Sequence, residues 1–395
     1  MYTPDISEFS SFDLQKLLVT CFGSSTNPLK VCILIDLQDL SLMKDKSFLN
    51  DSKYAVQKHA VEKFLNPLRS SNFDTFNVSQ VDLFAYQTTF GSNLDPEDHA
   101  VDEAGTSISL ENDVYPHYDI ILAITDFSLT APLTAQAKVY NFRGATLHGL
   151  NDIILNSGLS VDYNFVSRQA EVFRNVITNS DKFVITFEVY GNNYILSLDC
   201  NGQDAQKSHG LCPPGKPDVA NLPAGEVYFV PNGASGSFPF RFSDGTLAEM
   251  VVNDGAIKSA RLIQGDSSVV DARNEQLTGD PATGILGELG FGTQLLPFSG
   301  KDIQDEKIFG TCHVATGRSD HLGGNLTPEL FNSKMNASHD DILYAPLKTP
   351  EISVESVVMH KNGESQEIFS DYLPTPWLLD QVSTAYPTEK FMVSA

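Results

Sequence analysis

The stretch Lys30-Val-Cys-Ile-Leu-Ile-Asp36 is a continuous apolar run that ends in a carboxylate. Such a run is typical of a strand that is buried on both faces, as strands of parallel sheets are. Tyr118-Asp-Ile-Ile-Leu-Ala-Ile-Thr125 repeats the pattern, and residues 54–68, which lie between the two runs, have helical spacing. This alternation of buried strands and helices predicts an N-terminal α/β domain in which helices cover a parallel sheet.

The pattern changes near residue 180. Apolar residues recur every three or four positions from 162 to 177, which predicts an amphipathic helix that closes the α/β domain. The next segment contains two strand-like runs, Phe183-Val-Ile-Thr-Phe-Glu-Val-Tyr190 and Tyr194-Ile-Leu-Ser-Leu-Asp199, with Gly191-Asn-Asn193 between them. Two such runs joined by turn residues predict a β-hairpin.

Further hairpins follow along the chain. Asp-Gly pairs at residues 244–245 and 254–255 lie between apolar runs, and this arrangement is the strongest short-range sequence signal for a hairpin. A chain of 395 residues is also longer than one hydrophobic core usually supports. We therefore predict two domains, an α/β domain over residues 1–180 and a mostly β domain over residues 181–395.

The composition argues against several classes of partner. The chain has 26 Lys and Arg against 50 Asp and Glu, a formal net charge of −24. Because nucleic acids are bound by clustered positive charge, we expect no nucleic acid partner. No apolar run approaches the roughly 18 residues of a transmembrane helix, and the N-terminal residues lack a signal-peptide pattern. We therefore expect a soluble, cytoplasmic protein with no membrane partner.

The cysteines agree with that expectation, because they are odd in number, widely spaced and without a CxxC pair. We predict reduced thiols rather than a disulfide framework. They are Cys21, Cys32, Cys200, Cys212 and Cys312.

Two histidines of the second domain have neighbours that suit metal binding. We expect an extended segment from Ile308 to Val314, in which alternate residues face opposite sides, so His313 would point away from Cys312 and share its side with Phe309. The same alternation would place His339 and Asp341 on one face, with the intervening aspartate opposite. A His-x-Asp pair on a strand can chelate one ion.

Two glutamates lie beside glycines. Glu288 is surrounded by Gly287, Gly290 and Gly292, which fits a backbone that bends sharply or closely approaches a ligand, and equally fits a plain turn. The spacing of these glycines does not match a dinucleotide-binding fingerprint, so we exclude a Rossmann phosphate site. Glu226 follows another glycine at the start of a short predicted strand.

Together these residues form a mixed set of nitrogen and oxygen ligands. Such a set suits Zn, Mn, Co or Fe and does not suit metals that prefer thiolate ligands. The sequence thus predicts a metal site whose ligands are Glu226, Glu288, His313, His339 and Asp341.

The same region resembles a known family. Its motifs match in order those of the thermophilic-type metalloaminopeptidases, the leucyl aminopeptidase T group, and the similarity extends from about residue 181 to about residue 363. The motifs are Leu222-Pro-Ala-Gly-Glu-Val227, Gly287-Glu-Leu-Gly-Phe-Gly-Thr293, Asp305-Glu-Lys-Ile-Phe-Gly-Thr-Cys-His-Val-Ala-Thr-Gly317, Gly323-Gly-Asn325 and His339-Asp-Asp-Ile342.

This resemblance implies a metal-dependent hydrolase that removes N-terminal residues from peptides. In the family the corresponding residues bind two divalent ions, here expected to be Zn, Co or Mn, and the proteins are typically homodimers. The resemblance therefore implies the same five ligands, a peptide or small-molecule substrate, and a catalytic role for Glu226 and Glu288 in proton transfer from a metal-bound water.

One position departs from the family pattern. The family has a tyrosine seven residues after the first histidine, and this chain has Asp320 there. The chain also resembles 2,5-dihydroxypyridine dioxygenases, in which two histidines and an aspartate hold one Fe; His313, His339 and Asp341 satisfy that pattern. Two alternatives therefore stay open: an iron ring-cleaving dioxygenase and a non-catalytic protein that binds a peptide or another partner.

Overall fold

The computed structural model describes residues 1–71 and 73–386, which form two compact units. An α/β unit comprises residues 5–167 and 209–224, and a β-rich unit comprises residues 1–4, 168–208 and those from 225 onward. The fold class is therefore the predicted one. The division along the chain is less simple than a single boundary at residue 180, because the chain returns to the α/β unit to add one more parallel strand.

The helices and strands of the described residues are as follows. The α-helices are α1 (Leu14–Phe22), α2 (Ala55–His59), α3 (Asn66–Ser70), α4 (Thr130–Tyr140), α5 (Asp152–Leu155), α6 (Tyr163–Ile177), α7 (Ser267–Gly279), α8 (Asp302–Asp305) and α9 (Pro376–Val382), and π-helical turns cover Ala60–Leu65 and Leu110–Val114. The strands are β1 (Ser25–Leu37), β2 (Phe76–Gln87), β3 (His99–Val101), β4 (Ser107–Ser109), β5 (Ile120–Ala123), β6 (Arg143–Thr146), β7 (Lys182–Val189), β8 (Asn192–Asp199), β9 (Gln206–Ser208), β10 (Asp218–Asn221), β11 (Glu226–Phe229), β12 (Gly233–Arg241), β13 (Leu247–Asn253), β14 (Ala256–Gln264), β15 (Leu286–Gly292), β16 (Cys312–Gly317), β17 (His339–Tyr344), β18 (Ser353–Lys361), β19 (Glu364–Ser370) and β20 (Leu373–Pro374).

The α/β unit is built on one seven-stranded sheet in the order β10-β6-β5-β1-β2-β3-β4. Its first five strands are parallel to one another, and β3 and β4 extend the sheet as antiparallel strands. The predicted buried strand is β1, which lies inside the sheet between β5 and β2 and whose residues from Val31 to Ile35 are fully inaccessible. The helix predicted over residues 54–68 is present as α2, a π-helical segment and α3.

The β-rich unit contains two antiparallel sheets. One has eight strands in the order β14-β13-β12-β8-β7-β18-β19-β20, and the other has five in the order β17-β16-β15-β11-β9. The predicted hairpins are β7–β8, β12–β13 and β13–β14. A single core contains side chains from both sheets; the ring of Phe183 lies 5.4 Å from that of Phe291 and 5.5 Å from that of Phe229, measured between centroids.

The five-stranded sheet has one apolar face and one polar face. Val227, Leu289 and Val314, on three adjacent strands, belong to the core shared by the two sheets. Because side chains alternate along a strand, the residues next to them point to the opposite face. That opposite face carries the predicted ligands.

Two expectations from the sequence can be compared directly with the fold. All five cysteines are buried and free of disulfides. Within residues 1–71 and 73–386, none of the helices combines the length and apolar character that crossing a membrane requires.

Candidate metal centre

The predicted ligands lie on four adjacent strands of the five-stranded sheet. Glu226 begins β11, Glu288 is in β15, His313 is in β16, and His339 and Asp341 are in β17. The strand register places them next to one another, because Ala315 on β16 pairs with residue 288 on one side and residue 341 on the other. The structure thus brings all five side chains into one cluster.

Gly290 makes room for the imidazole of His313. The two residues are direct cross-strand partners on β15 and β16. A Cβ atom on Gly290 would lie 2.2 Å from Cε1 and 2.3 Å from Nε2 of His313, so the ring lies over the backbone of the neighbouring strand. The glycines around Glu288 therefore belong to a strand and not to a turn, and the group that closely approaches Gly290 is a side chain of the cluster.

Glu288 lies between the two histidines and faces each with a different oxygen. Its Oε1 is 3.5 Å from Nε2 of His313, and its Oε2 is 3.0 Å from Nε2 of His339. Glu226 approaches His313 from the other side, with 3.7 Å between Oε2 and Nε2. Glu288 therefore links two halves of the cluster.

His339 is oriented by a bond on the opposite side of its ring. Its Nδ1 lies 2.6 Å from the backbone oxygen of Arg318, so Nδ1–H donates to that carbonyl and Nε2 faces the carboxylates. Nε2 is also 3.2 Å from Oδ1 of Asp341. The predicted shared face of His339 and Asp341 is confirmed, and histidine ligands of metals are commonly oriented in this way.

Two further charged residues in the cluster, Glu306 and Lys307, were missed in the sequence. The ammonium Nζ of Lys307 lies 2.7 Å from Oε1 of Glu226 and 2.5 Å from Oε1 of Glu306, and its side chain is 1% exposed. Both residues follow α8 in a segment that the sequence predicted to become a strand at Ile308. An adjacent Glu-Lys pair is typical of protein surfaces, so its residue types gave no sign of burial. The only signal in the sequence was that the pair lies within the motif of residues 305–317.

The prediction of an extended segment from Ile308 to Val314 is wrong in its first half. The strand begins only at Cys312, because Gly310 adopts a φ of +108° and the Thr311 hydroxyl donates to the oxygen of Ile308. As a result Phe309 lies in the same apolar core as Cys312 and does not share the side of His313. The opposite orientations of Cys312 and His313 are as predicted.

The charges of the cluster shift its proton affinities. Burial alone would raise the pKa of Glu288, but the two histidines that it faces outweigh this effect and hold that pKa well below its usual range. Burial alone would lower the pKa of His313, but Glu288 raises it to about 9. The pKa of Lys307 is raised because Glu226 and Glu306 outweigh the effect of burial. In the metal-free protein, protons and one ammonium therefore neutralise the carboxylates.

Asp320 does not join the predicted ligands. Its Oδ1 lies 2.7 Å from Nε of Arg318, and its side chain is 27% exposed. The side chain of the next residue, His321, is only 5% exposed, and its ring stands edge-on to that of His339 with 5.0 Å between centroids. The imidazole next to the cluster therefore comes from the residue after Asp320.

The donor atoms fit a metal ion. Among the described residues, three groups each bring three donor atoms within 4.8 Å of one another: Glu226, Glu288 and His313; Glu288, His339 and Asp341; Glu306, His313 and Asp341. In a tetrahedral zinc site with ligand distances of about 2.0–2.2 Å, donor atoms lie about 3.3–3.6 Å apart. Of the two distances around His313, 3.5 Å lies within that range and 3.7 Å is just above it.

The cluster thus has the chemistry of a divalent-metal centre with histidine and carboxylate ligands. Comparison with protein-family models gave no match to this chain, and a search of curated proteins gave no significant match. The assignment of a function therefore depends on the residues and geometry of the cluster.

Proposed function

We propose that the protein is a metal-dependent hydrolase of the aminopeptidase type, which binds two divalent ions and releases N-terminal residues from peptides. The observation that carries this proposal is the position of Glu288 between two groups of ligands. One of its oxygens belongs to the group with Glu226 and His313, and the other faces His339 in the group with Asp341. A carboxylate shared in this way is suited to bridge two ions.

The ligands present fit Zn, Co or Mn. Two imidazoles and three carboxylates supply only nitrogen and oxygen donors, and the nearest thiol, Cys312, points into the apolar core. When bound, such ions lower the pKa of a coordinated water and polarise a carbonyl group, which is the chemistry that peptide hydrolysis requires. The motifs shared with the aminopeptidase T group support the same chemistry.

The residues of the chain have distinct parts in this proposal. Glu288 faces both groups of ligands, and its pKa is lowered, so it is better suited to bind metal than to accept a proton. Glu226 turns its Oε2 to the cluster while Lys307 holds its Oε1, so Oε2 would be available either to bind an ion or to take a proton from a water held there. This refines the sequence-based expectation that both glutamates have a catalytic role.

The alternative of one iron held by His313, His339 and Asp341 has less support from the geometry. In the described part of the chain, each group of three donors includes a glutamate, and His313 and His339 do not occur together in any of them. A mononuclear dioxygenase and a non-catalytic binding protein stay as the alternatives that the following experiment distinguishes.

The experiment measures metal content and peptidase activity together. The protein is purified without chelator, analysed for metals, and assayed with leucine p-nitroanilide after addition of Zn, Co or Mn. We expect two equivalents of metal and metal-dependent release of the amine. One equivalent of iron would favour the oxygenase, and no bound metal would favour the binding protein. Glu351→Gln, which alters an ion pair with Arg241 elsewhere in the unit, is the control for Glu288→Gln.

A further inference from the structure

The two groups that share Glu288 differ in how their donor atoms are held. Around His313, the nearest carboxylate oxygens are 3.5 and 3.7 Å from Nε2. Around His339, they are 3.0 and 3.2 Å from Nε2, which are hydrogen-bond distances. We call the first group the Glu226 position and the second, with Asp341, the Asp341 position.

Lys307 accounts for the more open Glu226 position. Its ammonium binds Oε1 of Glu226, which leaves Oε2 as the oxygen that faces His313. The same ammonium also binds Glu306. Because Lys307 already gives Glu226 a positively charged partner, Glu226 does not have to turn toward the imidazole of His313 for one. A lysine with a side chain 1% exposed cannot exchange these contacts for water.

The Asp341 position has no such support. In the described part of the chain, the ion pairs of Glu288 and Asp341 are with histidines, and none involves a lysine or arginine. Nε2 of His339 therefore lies in direct hydrogen-bond contact with the carboxylates that would bind the ion. These hydrogen bonds have to break before a metal can bind there.

The two positions offer similar ligands. The ammonium of Lys307 is bound by both Glu226 and Glu306 at the Glu226 position. Each position has one carboxylate of its own, a share of Glu288 and one imidazole, and Asp341 also comes within 4.8 Å of donor atoms of Glu306 and His313. The difference between the positions is therefore one of preorganisation, and residues that orient a metal ligand typically contribute 10- to 100-fold to affinity.

We propose that Lys307 is a positioning residue that keeps the Glu226 position assembled in the metal-free protein, so that this position takes up metal before the Asp341 position. The inference rests on the proposed two-metal function. It goes further, because it assigns an order of loading and a role to a residue that binds no metal itself.

The test is a titration of the metal-free protein with Co, followed by calorimetry and by the visible absorption of bound Co. We expect two binding events of unequal affinity. Glu226→Gln should remove the tighter event, and Asp341→Asn should remove the weaker one. Lys307→Met should weaken the tighter event by about 10- to 100-fold and leave the weaker one nearly unchanged.

A matched control is Lys348→Met, which removes another lysine–carboxylate pair, with Asp302, at an exposed place in the same unit. It should change neither event.

The inference is overturned if Asp341→Asn removes the tighter event, if the two events have equal affinity, or if Lys307→Met weakens both equally. Should Lys307→Met fail to fold, the order seen in the other two variants decides. Absence of any Co binding would overturn the proposed function as well, whereas equal affinities would overturn only the order of loading.

Discussion

Buried carboxylates occur in both units, but they are held in opposite ways. In the α/β unit, Asp36 at the end of β1 is 1% exposed and accepts hydrogen bonds from Nε2 of Gln57 at 2.7 Å and from the backbone N–H of Asp126 at 2.9 Å. Both donors are neutral. In the candidate metal centre, Glu288 is similarly buried, but its partners are imidazoles that can carry a positive charge.

The difference in partners reverses the effect of burial on proton affinity. Burial and the nearby Asp126 raise the pKa of Asp36 to about 6, because neutral donors only partly replace the lost hydration. The two histidines lower the pKa of Glu288 despite its burial. Equal burial therefore indicates nothing about function by itself. A carboxylate whose partners are protonated histidines can exchange those protons for a metal ion, whereas one held by amides serves as a fixed structural contact.

The largest effect is expected from removing the shared ligand. Glu288→Gln keeps the shape of the side chain but removes the charge that both histidines face. We expect the loss of at least one equivalent of metal and a fall in peptidase activity of at least about 100-fold. Loss of a residue that only orients a ligand costs up to about 100-fold, and loss of the ligand itself should cost no less. Metal analysis and the leucine p-nitroanilide assay check this. Unchanged metal content would show that Glu288 is not a bridging ligand.

The contrast between the two clusters also predicts losses of stability in different ranges of pH. The pKa of Asp36 is raised on folding, so its folded form binds a proton more tightly and its contribution to stability is lost as pH rises from about 4 to about 6. A pKa raised from 3.8 to about 6 corresponds to about 3 kcal/mol. Asp36→Asn should therefore gain up to that amount relative to the parent protein between pH 4 and pH 7.

The measurement is denaturant unfolding of both proteins across this pH range, with Asp74→Asn, an exposed carboxylate of the same unit, as the control. The candidate metal site should lose stability in the same direction but at higher pH. The pKa of His313 is raised to about 9, so the stability it contributes is fully present below about pH 6.5 and is lost as pH rises through 9. A parent protein that gains stability relative to Asp36→Asn as pH rises would contradict the assignment for Asp36.

A smaller effect is expected at the glycine under His313. Gly290→Ala places a methyl group where the imidazole lies, so the ring has to move away from Glu226 and Glu288. Overpacking of this kind costs typically about 1–3 kcal/mol. We expect a lower free energy of unfolding and weaker metal binding, measured by denaturant titration and by calorimetry. Gly300→Ala, at a glycine with open space around it but a φ of +74°, provides a control for backbone effects alone. Metal affinity that is unchanged in Gly290→Ala would show that the close approach is not needed for the site.

Patterns with a short period predicted much of this structure from sequence. The apolar run at β1 indicated a strand buried on both faces, and the period of two along a strand placed His339 and Asp341 on one face. The hairpins followed from turn residues such as Asp254-Gly255. In each case the physical cause acts within a few residues, so the sequence alone contains it.

Features that depend on distant contacts were not predicted. The burial of Lys307 results from pairing of its segment with Gln294, whose backbone N–H donates to the oxygen of Lys307 at 2.7 Å. The return of the chain to the α/β unit depends on β10, a strand of four residues that is recognisable only from its pairing with β6. A local sequence pattern does not contain either cause.

The smallest effect is expected at Asp320, where the chain departs from the tyrosine of the aminopeptidase T group. A free carboxylate close to the reacting carbonyl would disfavour a developing oxyanion and slow the cleavage of leucyl substrates. In the structure, however, Arg318 binds this carboxylate at 2.7 Å and with His321 keeps its pKa low, so its charge is largely compensated. Asp320→Asn should therefore leave metal stoichiometry unchanged and alter activity by less than about tenfold. Asp320→Tyr tests the departure from the family pattern itself. If activity toward leucine p-nitroanilide appears only in this variant, the missing phenol limits catalysis. Activity in the parent protein would show that the phenol is dispensable. A change in metal content in Asp320→Asn would contradict the position of this residue outside the ligand groups.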